Sequence, residues 1–122
     1  MDPLKEGAQP MNARPIYTYK VPKVMADGVQ SIGLVQLTTH EEMMSAKRAG
    51  SDPIRLVYEQ VKQSLAEVNG QPVSLGDGTA DTAFDKMGPQ LRNLVMTAYA
   101  KLHTPADGMA DDFLASQAVK VA

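Results

Sequence analysis

The stretch that most limits how this chain can fold runs from Ser51 to Val68. Ile54, Val57, Tyr58, Val61, Leu65 and Val68 recur at i, i+3, i+4, i+7, i+11 and i+14, which draws a single apolar stripe along an α-helix. Arg55, Glu59, Gln60, Lys62 and Gln63 fall mostly on the other side. Asp52 offers a side-chain acceptor to the first free amides, and Pro53 suits a first helical turn. Asn69-Gly70 tolerates positive φ and marks the stop. The spacing therefore predicts one helix over 51–68.

Such a stripe must be covered. Gly88-Pro89 opens a second one, with Leu91, Leu94, Val95, Ala98, Tyr99 and Leu102 on one face and Thr104-Pro105 as the stop. The two helices are expected to pack through Val57, Val61 and Leu65 against Leu91, Leu94 and Ala98. Between Thr38 and Glu42 the residues make a capping-box pattern, which predicts a short helix from about His40 to Ala49 with Met43, Met44 and Ala46 buried. Asp81 is placed to cap another short helix through Phe84 and Met87. A last helix between Ala106 and Val119 would use Met109, Phe113, Leu114 and Ala118. The irregular run after Val68 leaves room for a tiny hairpin at Asn69-Gly70.

The chain ahead of these helices has a different character. Residues 1–15 hold three prolines and scattered apolar groups and are expected to form an extended arm. From Ile16 the run YTYKVPKVMADGVQSIGLVQL reads as a ribbon turning at Asp27-Gly28. That turn sets Val21 against Leu34, Lys23 against Ile32 and Tyr19 against Gln36, with Tyr19, Val21, Met25, Ile32 and Leu34 on one side. Pro22 lacks a ladder donor, so its strand belongs at an edge. The fold expected is a mostly α, small helical domain with an N-terminal β-ribbon and extended arm: arm 1–15, ribbon 16–37, helical part 38–122. Residues 38–118 are expected to be self-sufficient. The ribbon is the expected partner-binding device, through Tyr17, Tyr19, Val21, Ile32 and Leu34.

Chemistry is sparse. There is no cysteine, hence no disulfide and no thiolate metal site. His40 and His103 have no metal-ligand spacing, and both are read as structural or solvated. The aspartates at 77, 81 and 85 and at 107, 111 and 112 lack the order of a calcium loop. LGDGTAD is not followed by the Gly-Lys-Ser/Thr of a phosphate loop. A net charge of −2 speaks against nucleic acid as a partner. A helix-turn-helix at Gly50-Ser51 would set Glu59 and Glu67 against phosphate. No apolar run reaches the ~20 residues of a membrane span. The expectation is a non-enzymatic protein without cofactor or metal, in contact with neither nucleic acid nor membrane.

From Leu37 onward the residues resemble a known family. LTTHEEMMSAKRAGSDPIRLVYEQVKQSLAEVNGQPVS and FDKMGPQLRNLVMTAYAKLHTP look like the small tail assembly chaperones of long-tailed bacteriophages. The family's leading helix pattern falls on Leu37, Glu42, Ala46 and Ala49. Its helix-ending V-(D/N)-G falls on Val68, Asn69 and Gly70, and its final helix on Leu91, Ala98, Tyr99, Leu102 and Pro105. The resemblance implies a protein of the host cytoplasm that holds the tape-measure protein soluble during assembly and recruits tail-tube subunits. The arm and ribbon before Leu37 depart from that pattern. They favour an alternative, a virion structural protein of tail, neck or head whose arm binds a neighbouring subunit, with a homo-oligomer inside the assembly.

Overall fold

The computed structural model describes residues 14–22 and 28–119. Along them run β1 (Tyr17–Lys20), β2 (Ser31–Leu34), α1 (Thr39–Ala49), α2 (Pro53–Ser64), β3 (Leu65–Val68), β4 (Gln71–Pro72), α3 (Thr79–Asp85), α4 (Pro89–Leu102) and α5 (Met109–Ala115). The strands make one antiparallel sheet in the order β1-β2-β3-β4. Helix is the larger share, 50% against 14% strand, yet the sheet is no appendage. Ile32 and Leu34 of β2 and Leu65 of β3 lie in one cluster with Val61, Phe84, Met87, Leu91 and Val95. The architecture is mixed α and β, with α1 and α2 inserted between two neighbouring strands.

The helix expected over 51–68 stops at Ser64, and its last four residues are β3. The start is as expected, with the Asp52 carboxylate accepting from the Ile54 and Arg55 amides. The stop has a definite cause. Val35 N–H donates to the Ser64 carbonyl at 2.9 Å, and the Ser64 hydroxyl donates to the Val35 carbonyl at 2.6 Å. The carbonyl that another helical turn would need is thus taken by the chain leaving β2.

The ribbon exists, in another register. Tyr17 faces Leu34 and Tyr19 faces Ile32, and Val21 N–H donates to the Gln30 carbonyl at 2.9 Å. Val21 therefore pairs four residues away from its expected partner Leu34. An even slip keeps the same residues on the same face, so Ile32 and Leu34 still point together. Lys23, Met25 and Asp27, and with Asp27 the expected turn, lie outside the described residues. β1 is an edge strand, and Pro22 follows it. Gly33 is there for space: a Cβ at that position would come within 2.8 Å of Ile16 Cγ2 and 3.1 Å of Glu67 Cβ.

Two further corrections concern α1 and α3. Met43 is 65% exposed and Met44 39%, while Ser45 and Ala49 are the buried residues of α1; Ala46 is exposed. Only Gly50, Ser51 and Asp52 join α1 to α2, so the two helices lie close and small side chains fill the contact. Asp81 does not cap α3; Gly78 occupies that position without a side-chain bond. The Thr38–Glu41 capping box is present in both directions, as is the hairpin at Asn69-Gly70, with φ of 53° and 76°.

Residues 1–13 of the expected arm lie outside the described residues. Arg14 is fastened to the body: its guanidinium meets the Glu41 carboxylate at 2.5 and 2.6 Å and the Gln36 carbonyl at 2.7 Å. The hydrogen bonds from Arg14 hold the Glu41 carboxyl below its ordinary range. A carboxylate held low stabilises the fold above its unfolded value, about 4.3, and that contribution disappears as pH falls through the folded value. Glu41→Gln keeps a capping side chain but loses the ion pair. Its stability is expected to lie below that of the wild type at neutral pH by less than about 1 kcal/mol, as found for solvent-screened pairs, with a correspondingly small drop in Tm. Melting curves at decreasing pH should bring the two proteins together.

Asn69 does more than turn the chain. Its Oδ1 accepts from the Gln30 and Ser31 amides at 2.6 and 3.3 Å, and its Nδ2 donates to the Gly28 carbonyl at 2.8 Å. Asn69→Ala loses these bonds and also strains a left-handed backbone, by about 1–2 kcal/mol. Asn69→Gly loses only the bonds. Urea titration is expected to rank stability as wild type, then glycine, then alanine.

Candidate partner-contact surface

Among the described residues, one side of the β1 backbone has no pairing strand. Its bonded pairs with β2 fall at Tyr17, Tyr19 and Val21, so alternation turns the N–H and C=O of Thr18 and Lys20 outward. Beside this edge stand Ile16, 44% exposed, and Tyr17, 39%. The five residues expected to meet a partner therefore divide. Tyr17 is at the surface. Tyr19 and Val21 are half-buried against the core. Ile32 and Leu34, at 3% and 0% exposure, are core residues, because the helices cover the face that the ribbon was expected to offer outward.

The remaining polar groups mostly serve the fold. Glu59, expected on the solvent side, is buried beneath α1. Arg48 Nε sits 2.9 Å from its Oε1, and the same guanidinium donates to Gln63 Oε1 at 2.9 Å and Ser45 Oγ at 3.3 Å. Lys62 Nζ lies 4.0 Å from Glu59 and 3.0 Å from Asp81, and 5.7 Å from the centre of the Phe84 ring. These matched charges tie α1, α2 and α3 together. Asp77 accepts from the hydroxyl and amide of Thr79, bonds that hold its carboxyl low. Nothing in spacing alone predicted the role of Glu59; an acid one turn from both Arg55 and Lys62 was the available sign.

His103 closes the other side of the molecule. Its Nε2 accepts from the Leu37 amide at 2.9 Å, and its Nδ1 is 2.9 Å from the Tyr99 carbonyl. A ring that accepts at Nε2 and donates at Nδ1 is the neutral tautomer. It lies over Tyr99, ring centres 4.1 Å apart. Burial, then the charge of Glu42, pushes the Tyr99 hydroxyl up to about 12. His103 thus has a structural place, and His40 is exposed.

Two of the concave features of the surface differ in character. A cleft of about 470 Å³ has Val29, Val68, Met87 and Leu91 in its apolar wall and Asp77 and Lys86 among its polar groups. A shallower notch of about 280 Å³ sits in the crook of α1 and α2, between Ala46, Gly50, Pro53 and Leu56. Among the described residues, no three His, Asp or Glu side chains are grouped to hold a metal ion, and no helix is long and apolar enough to cross a membrane. Comparison of the chain with family models, curated proteins and solved structures gives no match.

Proposed function

We propose that this protein is a non-enzymatic, chaperone-like phage tail assembly protein that acts by contact with tail components. The open backbone edge of β1, flanked by Ile16 and Tyr17, carries the contact part of this reading. An edge of that kind accepts an added strand from another chain. The exposed Met43, Ile54, Met109 and Phe113 support it, since adaptable methionines and free aromatics suit protein contacts. The phage context comes from the resemblance over 37–74 and 84–105.

The alternative is a virion structural protein of tail, neck or head. It is favoured by Arg14, whose clamp on Glu41 fastens residues 14–16, just ahead of β1, to the body. Mass spectrometry of purified particles separates the two. A chaperone co-purifies with tape-measure or tube protein during assembly and is missing from finished particles; a structural protein is retained at a symmetric stoichiometry. Thr18→Pro tests the edge. It removes an outward donor while sparing the pairing with β2, and is expected to abolish co-purification without lowering Tm appreciably. Failure to co-purify with any tail component even as wild type would reject the chaperone reading.

A further inference from the structure

The joint between β2 and α1 is held to the end of α4 through the ring of His103. The Leu37 N–H can only donate and the Tyr99 carbonyl can only accept. The 2.9 Å contacts at Nε2 and Nδ1 therefore require a neutral ring with its proton on Nδ1. The residues just ahead of Leu37 are tied elsewhere. Gln36 Nε2 donates to the Leu102 carbonyl at 3.1 Å, the Gln36 carbonyl accepts from Arg14, and Val35 is bonded to Ser64. His103 closes α4, so it also stands where the carbonyl end of the helix dipole lies.

We infer that His103 is a proton-operated latch: a proton on Nε2 detaches Leu37 from α4 and leaves the ring on the helix end. A protonated Nε2 faces the Leu37 amide donor to donor, so that bond has no acceptor left. The other half of the ring has the opposite preference. Nδ1 still donates to Tyr99, and a cation is favoured at the last turn of a helix. The ring cannot satisfy both sides at once, and histidine changes charge between about pH 5 and 8. Val35, two residues back, keeps its bonds to Ser64, so the opening stops short of the sheet. It acts on the start of α1, whose cap Thr38 follows Leu37 directly.

The charged groups around the ring leave this choice in place. Glu42 of α1 lines the same cleft, and a carboxylate does not repel a protonated ring. Tyr99, stacked against it, stays neutral because burial pushes its hydroxyl up to about 12. Glu41 is engaged by Arg14. Residues 104–106 carry no charge, and Lys101 and Asp107 line a separate cleft with Thr104. The latch requires no tail component and stands apart from the proposed function.

Nitrogen NMR and amide exchange of the full-length protein test this. Near pH 8, His103 is expected to show the tautomer protonated at Nδ1, and Leu37 a protected amide. Between about pH 8 and 5, Leu37 protection, corrected for the intrinsic change of rate, is expected to fall by about tenfold or more, the worth of one lost hydrogen bond. The fall should track the His103 ring signals. His103→Gln keeps a donor and an acceptor but does not titrate, so its Leu37 protection should stay constant over the same range. His40→Gln and Glu42→Gln should both keep the wild-type response. An Nε2–H tautomer near pH 8, or full Leu37 protection in the acidified wild type, overturns the proposal. So does a loss of protection that persists in His103→Gln, or one that vanishes in His40→Gln or Glu42→Gln. The first two results need no variant, so they decide the matter even if His103→Gln does not fold.

Discussion

Deleting residues 1–37 is expected to leave a chain that does not fold. β2 supplies Ile32 and Leu34 to the core, and Val35 behind it is 7% exposed. Each such side chain contributes about 1.5–3 kcal/mol when buried, against a total stability of about 5–15 kcal/mol for a domain. Removal also leaves β3 with only the two-residue β4 beside it and frees the Ser64 carbonyl at the end of α2. The remainder should show weak helical circular dichroism and no cooperative melt. A folded remainder over 38–122, the outcome expected from the helical periodicity alone, would show that β2 is a dispensable layer. The shared sheet and core speak against that.

Leu65→Ala is expected to cost about 2–5 kcal/mol, the range for emptying a buried leucine site. Leu65 is 2% exposed, faces Leu34 across the sheet, and stands at the junction where α2 becomes β3. Few neighbours are free to collapse there, because the Val35–Ser64 bonds fix the backbone on one side and the sheet on the other. Chemical denaturation gives the number directly: a lower midpoint with an unchanged slope. A shift under about 1 kcal/mol would remove Leu65 from the core. Leu94→Ala serves as the contrast. Leu94 was expected in the same contact, yet it is 41% exposed, and its loss should be mild.

The sequence was legible where local chemistry decides the outcome. The capping box at Thr38 and Glu41, the cap at Asp52, the turn at Asn69-Gly70 and the stripe of α4, apart from Leu94, stand where their residues place them. It misled where two structures share one spacing. Leu65 and Val68, three apart, fit one face of a helix; in a regular strand they would point to opposite faces. The irregularity in the β2–β3 pairing after Gly33 leaves Ala66 as the extra residue and turns both side chains inward. A bulged strand thus imitates a helical period. The α1 contact was invisible for another reason, since Ser45 and Ala49 carry almost no hydrophobic signal beside Met43 and Met44. The candidate surface was half legible: the edge strand is where the ribbon was expected, but its buried and exposed side chains can be told apart only once the helices covering β2 are known.

The position of α1 and α2 along the chain, between two neighbouring strands, has a consequence for how the molecule is made. Ile32 meets Val68 and Gly33 meets Glu67, so the central pairing joins positions some three dozen residues apart, across a helical excursion. Such a closure is slow for an open chain and faster once the intervening segment has shortened itself. The α1–α2 pair, with its capping box, its three-residue connection and its Arg48–Glu59 bond, is the local structure able to do that shortening. Assembly of the sheet is thereby subordinated to the helices that connect its two central strands. β1 can add to β2 early and locally, but β3 must wait for the helical pair to bring it back. A chain caught before that moment shows one bare edge of β2, the side reserved for β3, to any strand nearby.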